Sequence, residues 1–275
     1  MKGILRVFIV LVTLINSVNY VYAQANYESK EIEKITIKMT DAHGGLERWR
    51  DSPSLYFETN LIAHNGMFPE YNEQVTIQPI SRKTYVDFPN EVGSPRRQLA
   101  HDGEKAWAIG SGSGLEMAPA RFTCWRNFYL LNLPFVMHDP GVTVSELREV
   151  KIPGKNVQGY SVKLTFGGDV GDSSNDFYLL YINKSTYQLE AAEYNMTYAS
   201  MLPKGLDSLP ASVLTFEAFQ KVDGLLFPTL YKVHWQENME HIITGKVSNW
   251  DTKKPFDYTR MEIPSEAQLD TSIPK

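Results

Sequence analysis

The chain has 275 residues, 43% of them hydrophobic, with 27 Lys and Arg against 32 Asp and Glu and a formal charge of −5 at pH 7. A chain this long buries a substantial core without staples, and its single cysteine, Cys124, excludes an internal disulfide. Nucleic acid is excluded as a partner because neutralising phosphates needs clustered Lys and Arg, and the only adjacent arginines are Arg96 and Arg97.

At the N-terminus, Lys2 and Arg6, an apolar run from Val7 to Ile15 and a small-residue end at Val21-Tyr22-Ala23 follow the three-part pattern of a secretory signal peptide. Asn16, Ser17 and Asn19 interrupt the run, so the stretch to Val21 is too short and too polar to span a bilayer. Cleavage after Ala23 is therefore expected in preference to an uncleaved anchor. It leaves one domain over residues 24–275, periplasmic or secreted, with no stable membrane span. No Cys follows the cleavage site, which excludes a lipid-anchored lipoprotein.

From Asn26 to Ala42, Ile32, Ile35, Met39 and Ala42 recur at three- and four-residue steps, the period of an amphipathic helix. His43-Gly44-Gly45 stops it, with Gly supplying the left-handed conformation and His meeting the negative end of the helix dipole. A further turn over Leu46–Arg50 brings Trp49 to the core. The pattern then changes to period two. Strands are expected at Leu55–His64, Glu73–Gln78, Lys83–Phe88, Arg96–His101 and Lys105–Ile109, and later at Val142–Val150, Tyr160–Phe166, Phe177–Ile182, Leu189–Tyr198, Val213–Lys221, Leu225–Trp235 and Glu240–Trp250. Asp102-Gly103 and Asp223-Gly224 sit between strand-like runs, as tight hairpin turns with positive backbone angles prefer. So many strands in one chain predict a mainly β fold, one large antiparallel sheet that must curl or close.

One segment interrupts the sheet. Gly110-Ser111-Gly112-Ser113-Gly114 leads through Pro119 into a helix over Arg121–Leu131, stopped by Pro134. Phe122, Cys124, Trp125, Phe128, Tyr129 and Leu131 cover half its circumference, with Thr123, Arg126 and Asn127 on the other side. Such a helix either plugs the concave side of the sheet or acts as a lid on a Gly/Ser tether. Cys124, between Phe122 and Trp125, reads as a buried small hydrophobe.

Chemistry is sparse. The six histidines are scattered without paired zinc spacing, and no metal or cofactor site is expected. His101-Asp102 and His138-Asp139 precede the turn residues Gly103 and Pro140, and turn chemistry accounts for them. The glycine-serine run places Gly112 where a nucleophile elbow requires serine. Asp169, Asp172 and Asp176 lie in a glycine-rich loop without EF-hand spacing, as a solvated hairpin loop would.

Four motifs in order, His43-Gly44-Gly45-Leu46-Glu47-Arg48-Trp49, Asp102-Gly103-Glu104-Lys105-Ala106-Trp107, Tyr178-Leu179-Leu180-Tyr181-Ile182-Asn183-Lys184-Ser185-Thr186-Tyr187 and Val222-Asp223-Gly224-Leu225-Leu226-Phe227-Pro228, resemble the LolA/LolB-like superfamily. The chain looks in particular like a family of secreted Bacteroidota proteins, with counterparts of Asn127-Phe128-Tyr129, Leu133-Pro134-Phe135 and Asp139-Pro140-Gly141. The resemblance implies an unclosed antiparallel β-barrel with an N-terminal helix and an inserted helix on its concave side. It also implies an apolar cavity of the kind that receives acyl chains in lipoprotein carriers.

Five Trp, fifteen Tyr and thirteen Phe suit such a cavity as well as a large core. Trp107, Trp125, Phe128, Tyr129 and Phe135 are the expected ligand-binding lining. The leading reading is a non-enzymatic periplasmic carrier for a lipid, acyl chain or other amphiphile. An envelope-protein interaction module with a self-filled core is the alternative, and a hydrolase using His101 or His138 a remote one.

Overall fold

The computed structural model describes residues 25–89, 97–110, 118–167, 172 and 175–272. The signal segment lies outside these residues, as do residues 111–114 of the tether and Gly168, Asp169 and Gly171 of the acidic loop. The chain runs through β1 (Asn26–Tyr27), α1 (Lys30–Ala42), α2 (Leu46–Arg50), β2 (Leu55–Ala63), β3 (Tyr71–Ile77), β4 (Thr84–Phe88), β5 (Arg97–His101) and β6 (Ala106–Ile109). Helix α3 (Ala120–Val136) follows, then β7 (Val142–Lys151), β8 (Gln158–Phe166), β9 (Phe177–Asn183), β10 (Leu189–Tyr194), β11 (Ser212–Val222), β12 (Leu225–Trp235), β13 (His241–Asp251) and β14 (Gln268–Leu269).

All fourteen strands form one sheet made of two meanders, β2 to β6 and β7 to β13, joined where β13 pairs antiparallel with β2. Its ends are β1, parallel to β7, and β14, antiparallel to β6; they do not pair with each other, so the barrel is not closed. Both end strands are two residues long, so β1 covers only Thr143 and Val144 of the ten-residue β7, and β14 only Trp107 and Ala108 of β6. The concave side carries the main core, into which Phe57, Val75, Leu99, Val162, Leu180, Leu214 and Phe227 alternate from successive strands.

The helices differ from expectation at their ends. Asn26 and Tyr27 are not helical but pair with Thr143 and Val144, and α1 starts only after Ser29, whose hydroxyl accepts a bond from the Ile32 amide. A serine cap satisfies a helix-start donor that Asn26–Glu28 leave free to pair along a sheet edge. Helix α3 continues past Pro134 to Val136. A proline there removes the bond to the Leu130 carbonyl at a cost of about 3 kcal/mol. Complete burial of Leu133, Phe135, Val136 and Met137 offsets it, and the Pro134 carbonyl accepts from Thr40 Oγ1 at 2.7 Å.

Asp223 (φ 49°) and Gly224 (φ 90°) form a two-residue turn between the paired Val222 and Leu225. At Asp102-Gly103 only the glycine takes a positive φ; the loop is four residues long, and Asp102 Oδ1 accepts from the Glu104 and Lys105 amides at 2.8 and 2.7 Å. The motif pieces meet in space. The His43 carbonyl accepts from the Leu226 amide, His43 Nδ1 donates to the Leu226 carbonyl, and Nε2 accepts from the Leu189 amide. A Cβ on Gly44 would stand 2.4 Å from the Gly224 carbonyl oxygen, so the helix stop must be glycine where it rests on the hairpin.

Candidate functional site

Burial along α3 has a period near four. Thr123, Cys124, Asn127, Phe128 and Leu131 are fully buried, whereas Phe122, Trp125, Arg126, Tyr129 and Leu130 are only partly so. The first set lies on the side that packs against β4, β5 and β6. The second faces a cavity of about 560 Å³ whose far wall is built from Leu61, Phe166, Tyr178, Tyr194, Tyr231 and Ile243 on β2, β8, β9, β10, β12 and β13. That size falls in the range of small-molecule sites. Met67, 52% exposed, brings the cavity to the surface, and Met196 and Met201 line it from the segment after β10. Methionine's soft, flexible side chain adapts to varied apolar shapes.

A continuous run of rings crosses the lining. Trp125 lies 5.6 Å from Tyr129, Tyr129 6.0 Å from Phe166, Phe166 6.0 Å from Tyr178, and Tyr178 5.9 Å from Tyr194.

Charges at the cavity are matched, with one exception. Arg126 pairs with Glu73 and donates to Tyr71 Oη at 3.1 Å, while Asn127 Nδ2 and Thr59 Oγ1 donate to the second Glu73 oxygen. Burial alone would lower the Arg126 pKa, but Glu73 holds it above its ordinary value. Arg121 pairs with Asp172 through two nitrogens, donates to the Glu104 carbonyl at 2.5 Å, and its amide donates to Asp270 at 2.8 Å. These bonds fasten the start of α3 to both ends of the sheet. Asp176 is the exception. Its Oδ1 accepts from the Thr197 amide and hydroxyl at 2.8 and 2.6 Å, and no cation is bonded to it among the described residues.

Of the five residues expected to line a cavity, Trp125 and Tyr129 do. Phe128 and Phe135 are 0% and 1% exposed in the packed core, Phe135 stacked on Trp49 at 5.3 Å and 7°. Trp107 lies on the other face of the sheet, clustered with Tyr85, Ala100 and Phe256 beneath the C-terminal segment. Thr123, Arg126 and Asn127 do not share one side: Arg126 faces the cavity and Thr123 and Asn127 the packed strands, with Glu73 bonding Arg126 and Asn127. The signal for the strand tyrosines was weak: both faces of β9 carry apolar residues, so alternation does not tell which face is concave.

The histidines have structural surroundings. Burial lowers the pKa of His43, His101 and His138 to about 4. His138 contacts Tyr27 Oη and Thr40 Oγ1, both at 2.6 Å, but Thr40 is 3% exposed and out of a substrate's reach. The His101 ring lies against Trp125 with centroids 4.8 Å apart and planes tilted by 56°, and neither of its nitrogens has a hydrogen-bond partner among the described residues. His234 and His241, paired across the β12–β13 hairpin, meet the sequence-distant His64, at ring distances of 5.2 Å between His234 and His241 and 4.3 Å between His64 and His241. Among the described residues no three His, Cys, Asp or Glu are arranged to hold a metal, and no helix is long and apolar enough to cross a membrane. Cys124 is buried and its thiol pKa is pushed up by burial.

No protein-family model matches the sequence, and no curated protein does either. Solved structures share the architecture. A LolA superfamily protein from Nitrosomonas europaea is 12% identical, with a TM-score of 0.54 over 84% of this chain and 97% of that one. A DUF1329 family protein from Desulfovibrio piger is 14% identical, with a TM-score of 0.53 over 85% of this chain and 96% of that one. At these identities the likeness is one of fold, and the chain has a LolA-like fold.

Proposed function

We propose that this half-barrel is an exported, non-enzymatic carrier of the cell envelope that shelters the apolar part of an amphiphile between α3 and the concave face. The cavity of about 560 Å³ carries the reading. A core that filled itself would bring the α3 side chains onto β8 to β13, as it does onto β4 to β6. Here Phe122, Trp125, Tyr129 and Leu130 instead line the cavity, with Tyr129 meeting the far wall at Phe166. Each methylene moved from water onto that surface contributes about 0.8 kcal/mol. The LolA-like fold and the signal-like N-terminus fit an envelope role.

The test is mass spectrometry of protein purified without detergent, first native and then after organic extraction. An apolar or amphiphilic species at one per chain is the expected result. Empty protein that also leaves a neutral fluorescent probe such as phenylnaphthylamine dark would return the molecule to an interaction module.

A further inference from the structure

Resting on the carrier reading, we infer that the cavity selects amphiphiles with a cationic, ammonium-type head, which the Asp176 carboxylate and the surrounding ring faces receive while the chain occupies the aliphatic part.

Three observations lead there. The first is the state of the charges. Arg126 and Arg121 reach the cavity region already matched by Glu73 and Asp172, so neither offers an unmet positive charge to an anionic head. Asp176 lines the same cavity with only the neutral Thr197 as partner, and its Oδ2 accepts no hydrogen bond among the described residues. Burial raises its pKa and Thr197 alone opposes the rise, in contrast to Asp139, where Arg82 and Arg50 act. A half-buried carboxylate to which no cation is bonded among the described residues favours a ligand that brings one.

The second is the neighbourhood. Tyr178 on β9, two residues after Asp176, sits between Phe166 and Tyr194 at 6.0 and 5.9 Å, and burial together with the Asp176 charge raises its pKa. Ring faces attract cations, and aromatic walls beside a carboxylate are the chemistry that recognises quaternary ammonium groups. The third is length. Leu61, Val233, Ile242 and Ile243 continue the cavity as an aliphatic wall, so the site accommodates a chain and not only a small cation.

Displacement of phenylnaphthylamine is measured with dodecyltrimethylammonium, dodecanol, dodecanoate and tetramethylammonium, all below their micellar concentrations. The ammonium amphiphile is expected to bind about ten-fold tighter than dodecanol, and dodecanoate weaker than both. Tetramethylammonium alone is expected not to compete. In Asp176→Asn, whose amide oxygen can still accept from Thr197, the ratio of ammonium to alcohol affinity should fall towards one. If all three chains bind equally, or dodecanoate binds best, the head-group inference is overturned and the carrier reading stands. Competition by tetramethylammonium as strong as by the full amphiphile makes this a small-cation site and also overturns the inference. If no chain binds, the carrier reading itself fails. An ammonium preference that survives Asp176→Asn removes Asp176 from its role, and should that variant not fold, the ranking in the unaltered protein still decides.

Discussion

Helix α3 separates two regions made from the same kinds of residue. On one side Cys124, Phe128, Leu131 and Phe135 are at most 3% exposed, and Trp49 stacks on Phe135. On the other, Phe122, Trp125, Tyr129 and Leu130 face about 560 Å³ of space. Aromatic content does not distinguish a core from a binding site; the distance of the facing strands does. The packed side has used its apolar surface for stability, and the open side keeps it available to a ligand.

The largest effects should come from the network that ties the two sides together, since Arg126 is on the cavity face and Asn127 on the packed one, and both bond Glu73. Glu73→Leu strands the Arg126 charge in an apolar interior and is expected to cost about 3–5 kcal/mol in urea unfolding. The double variant Glu73→Leu with Arg126→Met should recover most of that loss. A double variant as unstable as the single one would mean that packing, not the unpaired charge, sets the cost.

Truncation tests the comparison directly. Phe135→Ala opens a void in a filled region and should cost about 3–5 kcal/mol. Tyr129→Ala enlarges a space that already exists, so its cost should be about 1 kcal/mol, with the clearer loss in probe uptake. Equal destabilisation by the two would erase the distinction between the sides.

The sheet was legible because period-two runs bounded by turn residues mark strands whatever they pack against, and all twelve expected strands are present with shifts of a few residues at their ends. The two-residue strands β1 and β14 carry no periodicity at all, and Asn26–Glu28 was absorbed into the helix beside it. The site was legible only in outline. The spacing of Trp125 and Tyr129 on the inserted helix marks one of its faces. Which face meets a cavity depends on strands more than thirty residues away, and the Glu73–Arg126 pair and the meeting of His64 with His241 likewise join residues distant in sequence. Trp107 shows the limit most simply: it pairs with Ala100 on the face of the sheet turned away from His101, but only the returning C-terminal segment with Phe256 makes that second face a buried one.

Acid should act on the packed side first. His43 and His138, both against α1, have folded pKa values of about 4 against an ordinary 6.5, because burial disfavours the charged ring. Below pH 6.5 the unfolded chain binds protons that the folded chain refuses, so stability is full above that pH and drains as pH falls towards 4. Each ring contributes about 3 kcal/mol of loss when the window has been crossed. Urea midpoints between neutral and acid pH should show this slope, and His138→Gln, which cannot titrate, should make it shallower, with His43 and His101 supplying the remainder. A slope unaltered by that change would place the acid sensitivity elsewhere.

A stability effect as small as that of Tyr129→Ala, and the sharpest separation of the two regions, is expected at Gly245. It pairs with Tyr231 across β12 and β13, and a Cβ there would lie 2.0 Å from Tyr231 Cζ. Glycine is required by the ring lying flat on the strand. In Gly245→Ala the Tyr231 ring must lift off the sheet, and the cavity it lines is the space that can take it. Stability should fall by about 1 kcal/mol, since the ring moves into a void and not against a packed neighbour. Probe uptake should fall much further, because the lifted ring occupies the volume a ligand would fill. Adding Tyr231→Ala removes the obstructing ring and should restore uptake without restoring stability. Loss of uptake that persists in the double variant would show that the Tyr231 ring itself, and not the room beneath α3, holds the ligand.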